Sequence, residues 1–211
     1  MIYKRMKGTI METIVQAKRV LEIFKEMSQI PRESGNEKGI SDYIVNFAKN
    51  LGLEAHQDEI LNVVIKKDAS PGYESRPSII IQGHIDMVCV KDHASNHDFS
   101  KDPIANIIEG EWMRADHTTL GADNGMGAAM MLAILEDESQ QHGPMQLLFT
   151  TNEETGMDGA FALKEGQVTG DYLINLDTEV EHDFTVSCAG GCHVHVNIPL
   201  LRDNNQPGYD A

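Results

Sequence analysis

The sequence predicts an α/β fold, a three-layer α/β/α domain around a mixed, largely parallel sheet. Short β-branched runs alternate with segments of helical period. Clusters of glycine, proline and small polar residues separate them. The chemically distinctive residues fall just past the ends of the apolar runs, the edge where open α/β sheets gather their sites.

In chain order, Ile14, Ala17, Val20, Leu21, Phe24 and Met27 recur at helical spacing over residues 12–29, and Pro31 stops the run. A second helix is expected over 37–51, with Ile40, Tyr43, Ile44, Phe47 and Leu51 on one face and Gly52 at the C′ position. The period then changes. LNVVIKK (61–67) and SIIIQGH (78–84) read as strands separated by the turn-rich DASPGYESRP. IANIIEGEWMRAD (104–116) reads as a hairpin turning near Gly110, and NGMGAAMMLAILEDES (124–139) as a helix of small and apolar residues. MQLLFT (145–150) is a strand, GAFALKEG (159–166) a short helix and YLINLD (172–177) a strand.

The chain has 211 residues, a formal charge of −16, 41% hydrophobic and 24% charged residues. That length fits one domain, or one domain and part of another. The acidic balance argues against nucleic acid, which needs clustered lysine and arginine. No apolar run approaches the span of a membrane helix, and no basic amphipathic segment suits a membrane surface. The N-terminus lacks the continuous apolar stretch of a signal peptide. The three cysteines, Cys89, Cys188 and Cys192, are few and odd in number, so reduced thiols in a cytoplasmic protein are expected.

QGHIDMV (82–88) closes the run Ile79-Ile80-Ile81 with His84 and Asp86 two residues apart on one face. Glu153 and Glu154 follow strand 145–150, Asp177 ends strand 172–176, and Asp123 precedes the helix from 124. Each piece alone is ordinary: a surface pair, a solvated acidic loop, an N-cap. LGADNGMG is glycine-rich, but its G-x-x-x-G-x-G spacing and lack of a P-loop lysine make it unsuited to nucleotide. Together the residues are more specific. Carboxylates at close range raise one another's pKa, and a divalent cation relieves them. A histidine and carboxylate set without cysteine suits zinc, manganese or cobalt. Two ions need a shared carboxylate, a role that suits Asp123 on its glycine-flanked turn. Asp86 accepts a hydrogen bond from the other ring nitrogen of His84 and fixes its tautomer. Adjacent glutamates on an extended segment point apart. Glu154 is assigned to metal and Glu153 to the general base that takes a proton from a metal-activated water.

GHIDMV, TTLGADNGMG, TNEETGMDGA and LINLDTE, in this order and spacing, resemble the M20 family of metallopeptidases. NHDFSKDPI, GEWMRADHTTLGADNGMGAAM and CAGG resemble its Xaa-His (aminoacyl-histidine) dipeptidase, or bacterial carnosinase, branch. The similarity runs from Pro31 to Gly191. It implies a metal-dependent dipeptidase acting on carnosine-like Xaa-His substrates with two divalent ions, zinc first, cobalt or manganese as alternatives. His84, Asp123 and Asp177 would hold one ion, Asp123 would bridge to a second held by Glu154, Asp86 would orient His84, and Glu153 would be the base. It also implies a cis peptide at Asp123-Asn124.

By the same resemblance, residues 1–189 would be the N-terminal part of the catalytic domain and 190–211 the start of a lid and dimerisation domain. The full-length parent would be a homodimer, and a last histidine ligand would come from beyond Ala211. The 211-residue chain alone is therefore expected to be weakly active or inactive. His117, where the branch has glycine, is expected to be a loop histidine. In SCAGGCHVHVNI, strand alternation would place Cys192, Val194, Val196 and Ile198 opposite His193, His195 and Asn197, against a soft metal cluster. Cys89 is expected to be a buried small residue. Two rival readings share the metal core: another amidohydrolase (aminoacylase, deacetylase, carboxypeptidase or tripeptidase), and a non-catalytic metal-binding or assembly module.

Overall fold

The computed structural model describes residues 7–110 and 112–178, together with 180, 183–187, 190 and 194–199. Two helices come first, α1 (Lys7–Met27) and α2 (Lys38–Asn50), then strands β1 (Glu54–Gln57), β2 (Val63–Lys67) and β3 (Ile79–His84). The hairpin β4 (Asn106–Glu109) and β5 (Trp112–Ala115) leads to α3 (Ala122–Glu136) and β6 (Met145–Thr150). Two single-turn helices, α4 (Glu153–Gly156) and α5 (Asp158–Phe161), precede β7 (Tyr172–Asn175).

Most elements fall where periodicity places them, and the exceptions have physical reasons. Helix α1 begins at Lys7, ahead of the apolar stripe that gives the helix its sequence signature. The strand β1, EAHQ, was not expected. It is a half-exposed antiparallel edge made of residues with little strand preference. Of the helix expected over 159–166, only the start is helical, in α5 (Asp158–Phe161); the separate turn α4 precedes it, and the two are divided at Met157, whose φ is +60°. Glu153 and Glu154 therefore open a helical turn and do not lie on an extended segment. Gly52, at φ +74°, ends α2 as expected, with its N–H on the Lys49 carbonyl.

The sheet order is β1-β2-β6-β3-β7. The pairs β1/β2 and β2/β6 are antiparallel, and β6/β3 and β3/β7 are parallel. The parallel half decides the position of the site. In register, His84 lies beside Thr150 and Gln82 beside Asn175, so three neighbouring strands end together. Their exit segments, Ile85-Asp86, Thr151–Glu154 and Leu176-Asp177, are therefore delivered to one edge.

Strand alternation sorts the core. Val63, Ile65, Ile81, Leu147 and Phe149 point to the face covered by Phe24, Met27, Ile44 and Leu132 of the three long helices, and all are buried. Val64, Ile80 and Leu148 point to the other face, against Leu163 and Val168. Lys67 reaches under the end of α3 and donates to the carbonyls of Ile134, Leu135 and Asp137 at 3.1, 2.9 and 3.2 Å. Arg19 ties α1 to the same end through Glu136. Among the described residues no helix is long and apolar enough to cross a membrane.

The chain divides into compact units of residues 1–178 and 179–211. In the second, residues 194–199 form no strand, and Val194, Val196 and Ile198 are exposed, so the expected alternation there is not realised as a sheet strand. Cys188, Cys192 and His193 lie outside the described residues. Cys89 is half-buried and free, with burial pushing its thiol up to about 11.

Candidate metal centre

His84 is the last residue of β3 and is 1% exposed. Its Nδ1 faces Asp86 Oδ1 at 3.2 Å. Its Nε2 points out of the sheet edge at Asp123 Oδ1, 3.0 Å away, with Asp177 Oδ1 at 3.8 Å and Glu153 Oε2 at 3.9 Å. Burial pulls the imidazole pKa down, but the hydrogen bond and charge of Asp86, with Asp177 and Asp123, outweigh it. The result is about 9, so without an ion the ring carries both protons and donates to both sides.

Asp86 is fully buried and has no free edge for an ion. Oδ1 takes the His84 ring and the Glu153 N–H at 3.1 Å, while Oδ2 takes the Ser34 hydroxyl at 2.8 Å and the Glu154 N–H at 3.2 Å. Burial disfavours this carboxylate, yet those four donors hold its pKa down at about 2. One side chain thus orients the histidine and pins the two glutamates that follow β6.

The same loop is held from two other directions. Glu37, buried at the start of α2, accepts the Asn152 N–H at 3.0 Å and the Gly35 N–H at 2.9 Å. Asn62, also buried, accepts the Thr151 N–H at 3.1 Å and donates to the Gly159 carbonyl at 2.9 Å, closing the loop at both ends. A Cβ on Gly159 would lie 2.5 Å from Thr151 O and 2.6 Å from Thr151 N, main-chain atoms that cannot step aside. Gly159→Ala is expected to destabilise the fold by about 3 kcal/mol, read as a lowered urea midpoint. An unchanged midpoint would show that the loop closes differently.

The glycine-rich turn LGADNGMG has a steric origin. Arg32, 2% exposed, spends its guanidinium on three carbonyls: Ile85 and Asp86 at 3.2 Å each and Gly121 at 2.5 Å. It ties the exit of β3 to the entry of α3. Burial lowers its pKa to about 10. A Cβ on Gly121 or Gly125 would lie 2.5 or 2.6 Å from its Nη2, so both positions exclude a side chain. Gly121 also adopts φ +71°, which L side chains rarely do. Asp123 comes next but one, with non-helical backbone and a half-exposed carboxylate. The Asp123-Asn124 peptide is cis, as the resemblance implies.

All six expected residues therefore come together. Around His84 Nε2, two overlapping sets of ligand atoms each lie within 4.8 Å of one another: His84, Asp123 and Glu154, and His84, Glu153 and Asp177. This grouping differs from the expected one, which pairs Asp123 with Asp177 around His84. A single free ring nitrogen can serve one ion only. Zinc bonds of about 2.1 Å put tetrahedral ligand atoms about 3.4 Å apart, and the observed 3.0–3.9 Å around Nε2 brackets that spacing. The charges also ask for a cation. Burial first, then the neighbouring carboxylates, raise the pKa of Glu153 and Glu154. Asp123 is raised by burial and by Asp177 against the opposing pull of His84. Glu153 and Asp177 line a cavity of about 240 Å³ walled in part by Leu148, Met157 and Leu163. His117 is an exposed loop residue at φ +56°, bound to Asp92 at 2.7 Å.

Sequence reasoning missed Arg32, Ser34, Glu37, Asn62 and Asn124. Asn62 carried a signal, an amide inside the apolar run ILNVVI. The others sit in loops or behind the ligand positions, where only the fold gives them partners.

Residues 80–200 match the sequence profile of peptidase family M20/M25/M40. The chain belongs to this family. The M20 chain is 43% identical over 190 residues to the cytosol non-specific dipeptidase of Escherichia coli (strain K12), covering 90% of itself and 39% of that relative. It superposes on the aminoacylhistidine dipeptidase of Vibrio alginolyticus with a TM-score of 0.75 at 44% identity, over 77% of this chain and 33% of that one. A tripeptidase from Staphylococcus aureus gives 0.65 at 26% identity, over 77% and 44%. This M20 chain thus spans a third to under a half of the length of these relatives.

Proposed function

We propose that the protein is a metal-dependent dipeptidase that hydrolyses Xaa-His dipeptides of the carnosine type, and that this chain supplies its base and most of its ligands. One observation carries the reading: a buried histidine whose outward nitrogen meets carboxylates from three separate segments, with Glu153 among them. Support comes from the family and from dipeptidases among the similar proteins.

Two divalent ions, zinc first and cobalt or manganese as alternatives, would be held by His84, Asp123, Glu154 and Asp177. When bound they supply Lewis acidity, polarising a peptide carbonyl and making water more acidic near neutral pH. The chain's own groups do the rest. Asp86 keeps a proton on His84 Nδ1 and so leaves Nε2 free to ligate. Glu153, with a pKa raised by burial, takes a proton from the attacking water and returns it to the leaving amine. Residues 190–211 would begin a lid, the whole protein would be a homodimer, and its location would be the cytoplasm. Neither nucleic acid nor membrane is a partner in this reading.

The test is a substrate panel on the whole protein with zinc supplied: β-alanyl-histidine, other Xaa-His dipeptides, dipeptides without histidine, a tripeptide and an N-acyl amino acid. Hydrolysis of Xaa-His dipeptides that stops with EDTA and returns with zinc is expected. The E. coli relative, a non-specific dipeptidase, favours a second reading, broad dipeptidase activity. Equal rates with and without a C-terminal histidine would establish it. Turnover of the acyl amino acid alone would remove both.

A further inference from the structure

We infer that Asn124 is a positioning residue that sets the Asp177 carboxylate in the centre, and that Gly83 and Gly127 are glycines to hold its amide in that pose. The inference rests on the metal reading above and adds a residue that reading does not use.

Asn124 is 4% exposed, immediately after Asp123. Its Nδ2 donates to two oxygens at once, the Leu176 carbonyl at 3.0 Å and Asp177 Oδ1 at 3.0 Å. Asp177 Oδ1 is also the oxygen that faces His84 Nε2 at 3.8 Å. The amide cannot be turned over, because its oxygen would then meet two acceptors with no proton between them. Its Oδ1 is instead buried with no partner among the described residues. A buried amide oxygen without a hydrogen bond is disfavoured, so its orientation is imposed by the NH₂ side and by the space around it. That space belongs to two glycines. A Cβ on Gly83 would lie 2.7 Å from Asn124 Oδ1, and one on Gly127 would lie 2.1 Å from it. Gly83 precedes His84 on β3, and Gly127 lies in α3 one turn beyond Asp123. The ligand-bearing β3, α3 and the end of β7 therefore meet at one amide. Asp177 lies just past the short edge strand β7, whose side chains are all exposed, and the amide gives it a buried anchor.

Cobalt(II) titration of the whole protein, followed by visible absorption, tests this. Asn124→Ala is expected to weaken cobalt binding at one step by about ten- to a hundred-fold and to alter the absorption of that step. Gly127→Ala should do the same by pushing the amide aside, although alanine suits a helix better than glycine. The double variant should bind no worse than Asn124→Ala. A purely structural role predicts additive losses that follow the melting temperatures of the metal-free proteins. Wild-type binding in both single variants, or additive losses in the double, overturns the inference. If Asn124→Ala does not fold, Gly127→Ala decides alone. No cobalt uptake by the unaltered whole protein would remove the metal reading itself, and the inference with it.

Discussion

Glu153→Ala should abolish dipeptide hydrolysis in the whole protein while leaving metal uptake unchanged. General-base catalysis contributes about 10²- to 10⁴-fold, so kcat should fall by at least about a hundred-fold with little change in KM. The separation of the two readouts matters because the geometry allows another role. Glu153 Oε2 lies 3.9 Å from His84 Nε2 and belongs to one of the two candidate ligand sets. If it were a ligand, zinc content would fall with activity. If it is the base, zinc content stays and only turnover is lost. Glu153→Gln sharpens the comparison, since it keeps the size and one metal-capable oxygen but cannot accept the proton. Retained turnover in either variant would remove the assignment.

The site was legible in the sequence because three of its ligand segments obey one rule. A parallel strand hands its next residues to a common edge, so an apolar run followed by His84, by Glu153-Glu154 or by Asp177 announces a place as well as a residue type. The same rule made the elements around the site easy to read, since buried parallel strands are apolar throughout. Its failures have a shared cause. The strand β1 is a half-exposed edge with only Ala55 to set against the core, and the turns α4 and α5 are too short for a period to register. Arg32, Ser34, Glu37 and Asn124 act through partners far away in the chain, and one sequence carries no trace of a partner. The glycines of LGADNGMG show the gap best. Their spacing suggested and then excluded a phosphate loop, while their cause is steric: Gly121 and Gly125 make room for a guanidinium, Gly127 for an amide. The lid expected from residue 190 begins within the second unit, 179–211, and stays a proposal.

Zinc affinity should fall steeply as the solution is acidified, by roughly a hundred-fold between pH 8 and pH 6. The sign is set by the proton that the ion replaces. In the metal-free protein His84 is protonated below about 9, because Asp86, Asp177 and Asp123 outweigh the opposing effect of burial. An ion needs the Nε2 lone pair, so binding must expel that proton. Below the raised pKa each pH unit then costs a factor of about ten. Asp123 and Glu154, both raised, compete for protons as well and steepen the loss at the acid end. A proton and an ion thus compete for the same Nε2 lone pair, which faces Asp123 at 3.0 Å. Competition against a zinc chelator across that range, corrected for the chelator's own titration, gives the slope. Calorimetry in buffers of different ionisation enthalpy should show about one proton or more released per ion. Asp86→Asn should shift the pH dependence to lower pH, since it removes the charge that contributes most to raising His84. A flat affinity between pH 6 and 8, or an unshifted profile in Asp86→Asn, would mean that zinc binds without displacing the His84 proton, and the histidine would lose its place among the ligands.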